Sequence, residues 1–182
     1  MTRSASIAAA LVGLAAAAAA TPGLAAEPPT AGPLSVDGFY SGVWYEQART
    51  PTSLTRGCEY ATTTYGRTER GEIAVTDACR QDGPDGRLRS ISGVGTLQDP
   101  GQNAELVVRY RFGPFRPTRT YRVIAYAPDG QWFISAEPGF EKIYMFSRPT
   151  VMPVPQIEAE IAKVRALGYA GEVEILATPG RP

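Results

Sequence analysis

The chain has 182 residues, with 18 basic and 18 acidic side chains, two cysteines, no histidine and 43% apolar residues. This length and apolar content allow one domain with its own core and argue against a disordered chain. The neutral charge balance gives no electrostatic basis for binding nucleic acid, because phosphate recognition requires a basic surface. The absence of histidine excludes histidine-dependent triads and histidine-ligated metal or haem sites, and two cysteines alone cannot form a four-thiolate site. We therefore expect no metal and no cofactor.

The first residues have the pattern of a secretory signal peptide. Arg3 precedes an apolar run from Ile7 to Ala20, and small residues follow up to Ala26. A charged segment, an apolar segment and a cleavage site come in that order, so we expect residues 1–26 to be removed on export. No cysteine directly follows the cleavage region. We therefore expect a periplasmic or secreted protein without a stable membrane anchor.

The middle of the chain has the period-two patterning of β-strands. Segments rich in Val, Ile, Thr, Tyr and Phe alternate with turns that contain Gly, Pro and Asp. Eight such segments without intervening helices predict antiparallel hairpins that form a sandwich or close into a barrel. The predicted strands are Val43–Arg49, Cys58–Tyr65, Glu72–Cys79, Leu88–Leu97, Ala104–Phe112, Thr120–Ala127, Gln131–Ala136 and Lys142–Ser147.

A helix and a short strand are predicted after these segments. Pro155 suits a first helical turn, apolar residues recur at helical spacing from Ile157 to Val164, and Gly168 ends the pattern. This narrow apolar stripe predicts a helix that packs on the outside of the sheet. The alternation in Glu172–Leu176 predicts a short final strand.

The cysteines Cys58 and Cys79 are 21 residues apart, on either side of a turn-like stretch from Gly66 to Gly71. In an exported protein, two such cysteines are expected to form a disulfide. Two free thiols are the alternative.

The motifs around the first strand resemble those of a known family. The stretch from Val36 to Arg49 contains a short turn followed by Gly42-Val43-Trp44-Tyr45, which resembles the lipocalin signature. Other motifs fall in the order and spacing of bacterial lipocalins similar to apolipoprotein D, namely Gly113–Phe115, Tyr121–Ala125, Pro128–Asp129 and Phe146–Pro149.

The resemblance covers the chain from Leu34 to Leu176 and implies an all-β fold. The expected architecture is an eight-stranded up-and-down antiparallel lipocalin barrel, with a C-terminal α-helix packed outside it and a short final strand. We assign residues 34–177 to this barrel and helix, 27–33 to a disordered lead and 178–182 to a tail.

The resemblance also implies which motif residues are structural. Trp44 would close the floor of the barrel, with the Arg148 guanidinium lying across its ring in a cation–π contact. Gly42 belongs to the same motif, and Asp129 would cap a turn at the same end.

The family's register implies which side chains face the interior. We expect Glu46, Ala48, Ala61, Thr63, Tyr65, Val75, Asp77, Leu106, Val108, Tyr110, Tyr121, Val123 and Tyr144 to line a ligand site, with Ile73, Ala125 and Phe146 also inward. A direct bridge between Cys58 and Cys79 conflicts with this register in the second strand, unless a bulge or a diagonal bridge reconciles them.

The expected function is binding, transport or storage of one small hydrophobic or amphiphilic ligand, such as a fatty acid or lysophospholipid, by a monomer or weak dimer. Its polar head would lie near Arg49, Arg56 and the Gly113–Phe115 loop. The alternative is an isomerase- or synthase-type enzyme that uses Glu46 or Asp77 with the interior tyrosines. Interaction with another protein through the mouth loops is a third class. The interior rings could also fill the barrel and leave no cavity.

Overall fold

The computed structural model describes residues 27–83 and 85–176, so the predicted signal peptide, residue 177 and the predicted tail lie outside the described residues. The described residues form a single nine-stranded sheet, two α-helices and a 3-10 turn at Pro138–Phe140. The strands are β1 (Gly42–Arg49), β2 (Cys58–Arg67), β3 (Ile73–Gln81), β4 (Arg87–Leu97), β5 (Glu105–Arg111), β6 (Thr118–Tyr126), β7 (Trp132–Ala136), β8 (Ile143–Ser147) and β9 (Glu174–Ile175). The helices are α1 (Val36–Phe39) and α2 (Val154–Ala166).

Strands β1 to β8 pair antiparallel in chain order, and β8 pairs with β1 to close the ring. Closure removes the free edges that an open sheet would expose. Strand β9 pairs with β1 outside this ring. The predicted fold is therefore confirmed: an eight-stranded up-and-down barrel with one external helix and a short final strand.

The up-and-down order gives the barrel two different ends. The connections β1–β2, β3–β4, β5–β6 and β7–β8 all emerge at one end, which we call the mouth. The other connections emerge at the opposite end, which we call the floor, and α1 precedes β1 at that end.

Two β-bulges change which side chains face the interior. In β1 the pairing with β8 shifts between Glu46 and Ala48, so Glu46 stays beside the inward Phe146 while Ala48 joins the outer apolar cluster. The inward placement predicted for Ala48 is therefore wrong, because a bulge adds one residue and reverses the alternation. A similar shift between Val123 and Ala125 turns Ala125 outward as well.

Helix α2 packs on the outer face to which Ala48 belongs. Its buried side chains Ile157, Ile161 and Val164 form one apolar cluster with Ala48 and Ala136 of the barrel wall. Burying each of these helix side chains is worth roughly 1.5–3 kcal/mol. The small residue at position 48 therefore lies under the helix and not beside a ligand.

The floor is built from aromatic rings held by α1. The ring of Phe39, the last residue of α1, lies 5.4 Å from that of Trp44 and 4.8 Å from that of Phe133, centroid to centroid. The Trp44 Nε1–H donates to the Phe39 carbonyl at 3.1 Å. This hydrogen bond satisfies the indole donor while its ring stays fully buried.

Arg148 fastens this floor from β8. Its guanidinium carbon lies 3.7 Å from the centroid of the Trp44 ring, which is the cation–π contact expected from the sequence. Its two Nη groups also donate to the carbonyls of Gly38, Phe39, Ser41 and Val43, at 2.7–3.3 Å. The Arg148 side chain therefore links the end of β8 to the segment that runs from α1 into β1.

Two smaller features of the floor also match their predicted roles. Gly42 has a φ of +63°, a left-handed conformation that other residues rarely adopt. Asp129 Oδ1 accepts a hydrogen bond from the Gln131 N–H at 3.1 Å, which caps the β6–β7 turn.

The segment 27–33 differs from the disordered lead that the sequence suggested. The Ala31 N–H donates to the Val123 carbonyl at 2.8 Å, Glu27 pairs with Arg122 at 3.0 Å, and Pro28 is fully buried. The Val123 carbonyl lies at the bulge where the pairing of β6 with β7 shifts. The bulge leaves this carbonyl open to a hydrogen bond from the segment 27–33.

The predicted disulfide between Cys58 and Cys79 is present, with the two Cα atoms 5.5 Å apart. The pairing of β2 with β3 shifts around Tyr60, which has a φ of +50°. This bulge reconciles the disulfide with the inward positions of Thr63 and Tyr65. A disulfide of this kind indicates an oxidising environment, extracellular or periplasmic.

Replacing Trp44 or Arg148 should destabilise the whole barrel. We expect Trp44→Ala to lower the free energy of unfolding by about 3–5 kcal/mol, because it removes a fully buried ring. Arg148→Ala should cost about 2 kcal/mol or more, because the ring loses its cation and the floor carbonyls lose their donors. Urea denaturation measures both, with Arg70→Ala on the exposed β2–β3 turn as the control. An Arg148→Ala variant as stable as the control would contradict this role.

Reducing the disulfide should destabilise the fold without abolishing it. A bridge that closes a loop of 21 residues contributes roughly 3 kcal/mol by restricting the unfolded chain. We expect the Cys58→Ser, Cys79→Ser double variant to lose about this free energy in urea denaturation. Protein exported to an oxidising compartment should show no thiol that alkylates without reductant, and two alkylated thiols would refute the pairing in the cell.

Candidate ligand-binding site

The interior of the barrel has an apolar half next to the floor. Its inward side chains include Val75, Leu106, Val108, Val123 and Phe146, all buried. They lie on four different strands and above the rings of the floor, so the lower interior is mainly apolar.

Polar side chains begin at mid-height, around Asp77. The Thr63 hydroxyl donates to Asp77 Oδ1 at 2.7 Å, and the Tyr110 hydroxyl donates to Asp77 Oδ2 at 2.6 Å. The Tyr110 and Tyr121 hydroxyl oxygens are 3.1 Å apart. Both oxygens of the carboxylate are therefore paired, and the chain of hydroxyls ends at Tyr121. We call these four side chains the Asp77 network.

Burial shifts the acid–base equilibria of the Asp77 network. It raises the pKa of Asp77, although the hydrogen bonds from Tyr110 and Thr63 oppose the shift. Burial also raises the pKa of Tyr110 and Tyr121, with the charge of Asp77 acting in the same direction. The phenols therefore remain neutral hydrogen-bonding groups at physiological pH.

Tyr144 lines the same level of the interior from β8. Its hydroxyl donates to Glu137 Oε1 at 2.7 Å, while Lys142 pairs with the other oxygen of Glu137 at 2.9 Å. The Tyr144 ring meets the Tyr121 ring edge-on, with 5.9 Å between centroids. These contacts hold the two rings across β6 to β8, just below the mouth.

Arg49 and Glu46 form a second buried polar group. Arg49 Nη1 lies 3.1 Å from Glu46 Oε2, and its Nε lies 2.6 Å from Glu174 Oε1. Its Nη2 donates to the carbonyls of Thr55 and Cys58, at 2.9 and 2.8 Å. The Arg49 side chain is 3% exposed, and its guanidinium already donates to these partners. It is therefore not available as the anchor predicted for a ligand head.

The interior tyrosines limit the space above the apolar half. Tyr121 and Tyr144 are only partly buried, as is Asp77, so the upper interior is accessible, whereas Tyr65 packs on Phe39 and Tyr40 of the floor. Two hollows among the described residues lie outside the barrel. One, of about 310 Å³, is lined by Ile161 and other residues of α2 together with Val173 and Ile175, and another, of about 370 Å³, lies at the β2–β3 turn.

The described residues also lack two kinds of feature. Within 27–83 and 85–176, no group of three or more Cys, Asp or Glu side chains could hold a metal ion. In the same part of the chain, no helix has the length and apolarity needed to cross a membrane.

Comparison with known proteins identifies the family. The family model described as a lipocalin-like domain matches residues 38–177. The chain belongs to the lipocalin family. A provisionally named lipocalin of Acanthamoeba polyphaga mimivirus is 31% identical over 114 residues, which are 53% of this chain and 63% of the viral protein. The chain therefore matches less than two thirds of that relative's length.

Solved structures show the same fold at low identity. Insecticyanin from the tobacco hornworm Manduca sexta is 14% identical with a TM-score of 0.67, covering 86% of this chain and 87% of its own. Lobster apocrustacyanin A1 is 13% identical with a TM-score of 0.57, covering 88% of this chain and 94% of its own. The lipocalin fold is typical of proteins that bind and transport small hydrophobic ligands.

In this lipocalin, most residues predicted for the ligand site do face the interior. Ala61 is buried against Cys79 and Leu176, beside the disulfide and apart from the central cluster. The sequence analysis missed Phe39, Tyr40 and Tyr126, which pack into the floor. The inward set comprises Glu46, Thr63, Tyr65, Val75, Asp77, Leu106, Val108, Tyr110, Tyr121, Val123 and Tyr144.

Glu46 should make the stability of this lipocalin depend on pH. Burial raises the pKa of its carboxyl from 4.5 to about 7, against the opposing charge of Arg49. The folded state then holds this proton more tightly, so the contribution is complete below the unfolded pKa and is lost as the pH rises. We expect the free energy of unfolding to fall by up to about 3 kcal/mol between pH 4.5 and 7.

Urea denaturation across this pH range tests the assignment. Glu46→Gln should flatten the decline in the free energy of unfolding, leaving the part that Asp77 contributes with the same sign. Glu72→Gln, on the exposed β2–β3 turn, is the matched control and should keep the wild-type slope. A Glu46→Gln variant with an unchanged slope would show that Glu46 stays ionised in the folded protein.

Proposed function

We propose that this lipocalin reversibly binds one small amphiphile, such as a fatty acid or lysophospholipid, in its barrel. The observation that carries the proposal is the gradient of polarity along the interior. Apolar side chains surround the lower half, and hydrogen-bonding side chains begin at Asp77 and continue toward the mouth. An amphiphile with its tail toward the floor matches this gradient.

The tail would lie among Val75, Leu106, Val108 and Val123. Burying a twelve-carbon chain is worth of order 9 kcal/mol, at about 0.8 kcal/mol per methylene. The loss of translational freedom and the movement of tyrosine rings oppose this gain. We therefore expect micromolar affinity.

The head would lie near Tyr121 and the arginines of the mouth. The alternation of β4 and β6 places Arg89 on the face of the inward Ile91, and Arg119 on the face of Tyr121. Both guanidiniums are exposed and have no carboxylate partner among the described residues. An anionic head can pair with them, and it avoids the Asp77 carboxylate below.

Two further points complete the proposal. The disulfide supports a role in an exported compartment, which agrees with the predicted signal peptide at 1–26. We assign binding and not catalysis, since Glu46 is paired with Arg49 and both oxygens of Asp77 already accept hydrogen bonds.

A pair of adjacent valines provides the test. Val108 faces the interior, whereas Val107 faces outward from the same strand. Purified protein is titrated with saturated fatty acids of increasing length while tyrosine and tryptophan emission is followed. We expect saturable one-to-one binding whose affinity rises with length and then levels off.

Val108→Trp should weaken binding at least tenfold by filling the lower interior, while Val107→Trp should leave the affinity unchanged. Thermal melts establish that both variants are folded. Equal affinity in the two variants would place the ligand outside the barrel. Absence of saturable binding by fatty acids and lysophospholipids would instead favour a barrel filled by its own rings.

A further inference from the structure

We propose that the mouth of this barrel docks reversibly on the surface of a bilayer that contains anionic phospholipid. The docking surface consists of exposed apolar side chains on the mouth connections, together with the arginines around them. Its apolar side chains lie outside the interior, and it shares Arg89 and Arg119 with the position proposed for the ligand head.

The apolar part of this surface is concentrated at one end of the molecule. Among the described residues, the four large apolar side chains with the greatest exposure are Leu54 (73%), Phe115 (67%), Phe112 (64%) and Leu88 (58%). They belong to or flank the β1–β2, β3–β4 and β5–β6 connections, which all emerge at the mouth. Single exposed apolar residues are ordinary, but such a concentration at one end marks an interaction surface.

The two phenylalanines are held on a fixed hairpin tip. The Phe112 N–H donates to the Phe115 carbonyl at 3.0 Å, and the Phe115 N–H donates to the Phe112 carbonyl at 2.9 Å. Directly paired residues on antiparallel strands project from the same face of the hairpin. Gly113, with a φ of +55°, permits the tight reversal between them. Both rings are therefore presented together at the end of the barrel.

Arginines surround these apolar side chains. Arg87, Arg89, Arg116 and Arg119 are exposed at or beside the β3–β4 and β5–β6 connections, and none has a carboxylate partner among the described residues. The exposed carboxylates on this side of the mouth are Asp82 and Asp85. This side of the mouth therefore carries an excess of positive charge.

An anionic bilayer matches both components of this surface. Phosphate groups pair with guanidiniums, and aromatic and leucine side chains bury in the boundary between headgroups and acyl chains. A second copy of this chain would bring like charges together, mouth to mouth, and a nucleic acid would leave the apolar side chains without a partner. Docking would also place the mouth against a source of amphiphiles, a consequence that rests on the proposed function.

Vesicle co-sedimentation tests the docking. We expect purified protein to bind vesicles of phosphatidylcholine mixed with phosphatidylglycerol about tenfold more tightly than vesicles of phosphatidylcholine alone, with the difference lost at high salt. The double variants Phe112→Ser, Phe115→Ser and Arg56→Gln, Arg87→Gln should each reduce binding to the mixed vesicles about tenfold. Both arginines are exposed at mouth connections and their side chains make no hydrogen bond in the described structure, so their loss should not disturb the fold.

Two controls share the chemistry but not the location. Arg70→Gln removes an exposed arginine at the floor, and Val43→Ser removes an exposed valine at the floor end of β1. Both should bind vesicles like wild type. Equal binding to both kinds of vesicle, undiminished binding by the mouth variants, or mouth-dependent dimers in sedimentation equilibrium would overturn the docking.

Failure of docking can be distinguished from failure of ligand binding. The Phe112→Ser, Phe115→Ser variant should lose vesicle binding and keep its fatty-acid affinity in solution. Val108→Trp should lose fatty-acid affinity and keep vesicle binding. If both activities fall together in both variants, the mouth is part of the ligand site and separate docking is refuted.

Discussion

The contact between Arg148 and the Trp44 ring is the constraint on which the rest of the barrel depends. A cation held over a buried indole is worth about 2 kcal/mol. The same guanidinium satisfies carbonyls on both sides of Gly42, at the step from α1 into β1. These bonds join β8 to β1, the two strands that close the ring, and they fix Phe39 against the underside of the interior. The barrel therefore has a closed floor, and a ligand can enter only through the mouth.

Much of this architecture could be predicted because alternation and turn residues are local signals. The strands and the outer helix follow from such signals, whereas the Trp44–Arg148 contact is implied by the resemblance to lipocalins. The orientation of Ala48 and Ala125 does not, because a bulge inserts one residue and alanine is acceptable on either face. The role of Ala48 depends on α2, which packs on it from more than a hundred residues away in the sequence.

The role of Arg49 also depends on a distant part of the chain and could not be predicted from local sequence. As an arginine at the end of a strand near the mouth, it looked like an anchor for an anionic head. Its partners are Glu46 in its own strand and Glu174 in the final strand, and the second cannot be inferred from local sequence. The pair instead helps to hold β9 against β1, where the β1–β2 pairing has ended. A buried charge is more often held by such partners than left free for a ligand.

The proposed ligand site and the proposed docking surface lie at successive levels of the barrel. The floor and the lower half are apolar and rigidly packed, while the upper half holds phenols around Asp77 and Tyr144 that can rearrange their hydrogen bonds. The most exposed apolar side chains and a concentration of arginines lie beyond them at the mouth. Polarity therefore increases from floor to mouth, which is the direction along which an amphiphile would be oriented.

The most direct test of this account is a methyl-detected NMR titration with a saturated fatty acid. We predict that the shifts concentrate on the inward methyl groups of Val75, Val108 and Val123, while the outward Val107 is unaffected. Shifts confined to Ile161 and Val173, which line the hollow under α2, would contradict the account by placing the ligand outside the barrel.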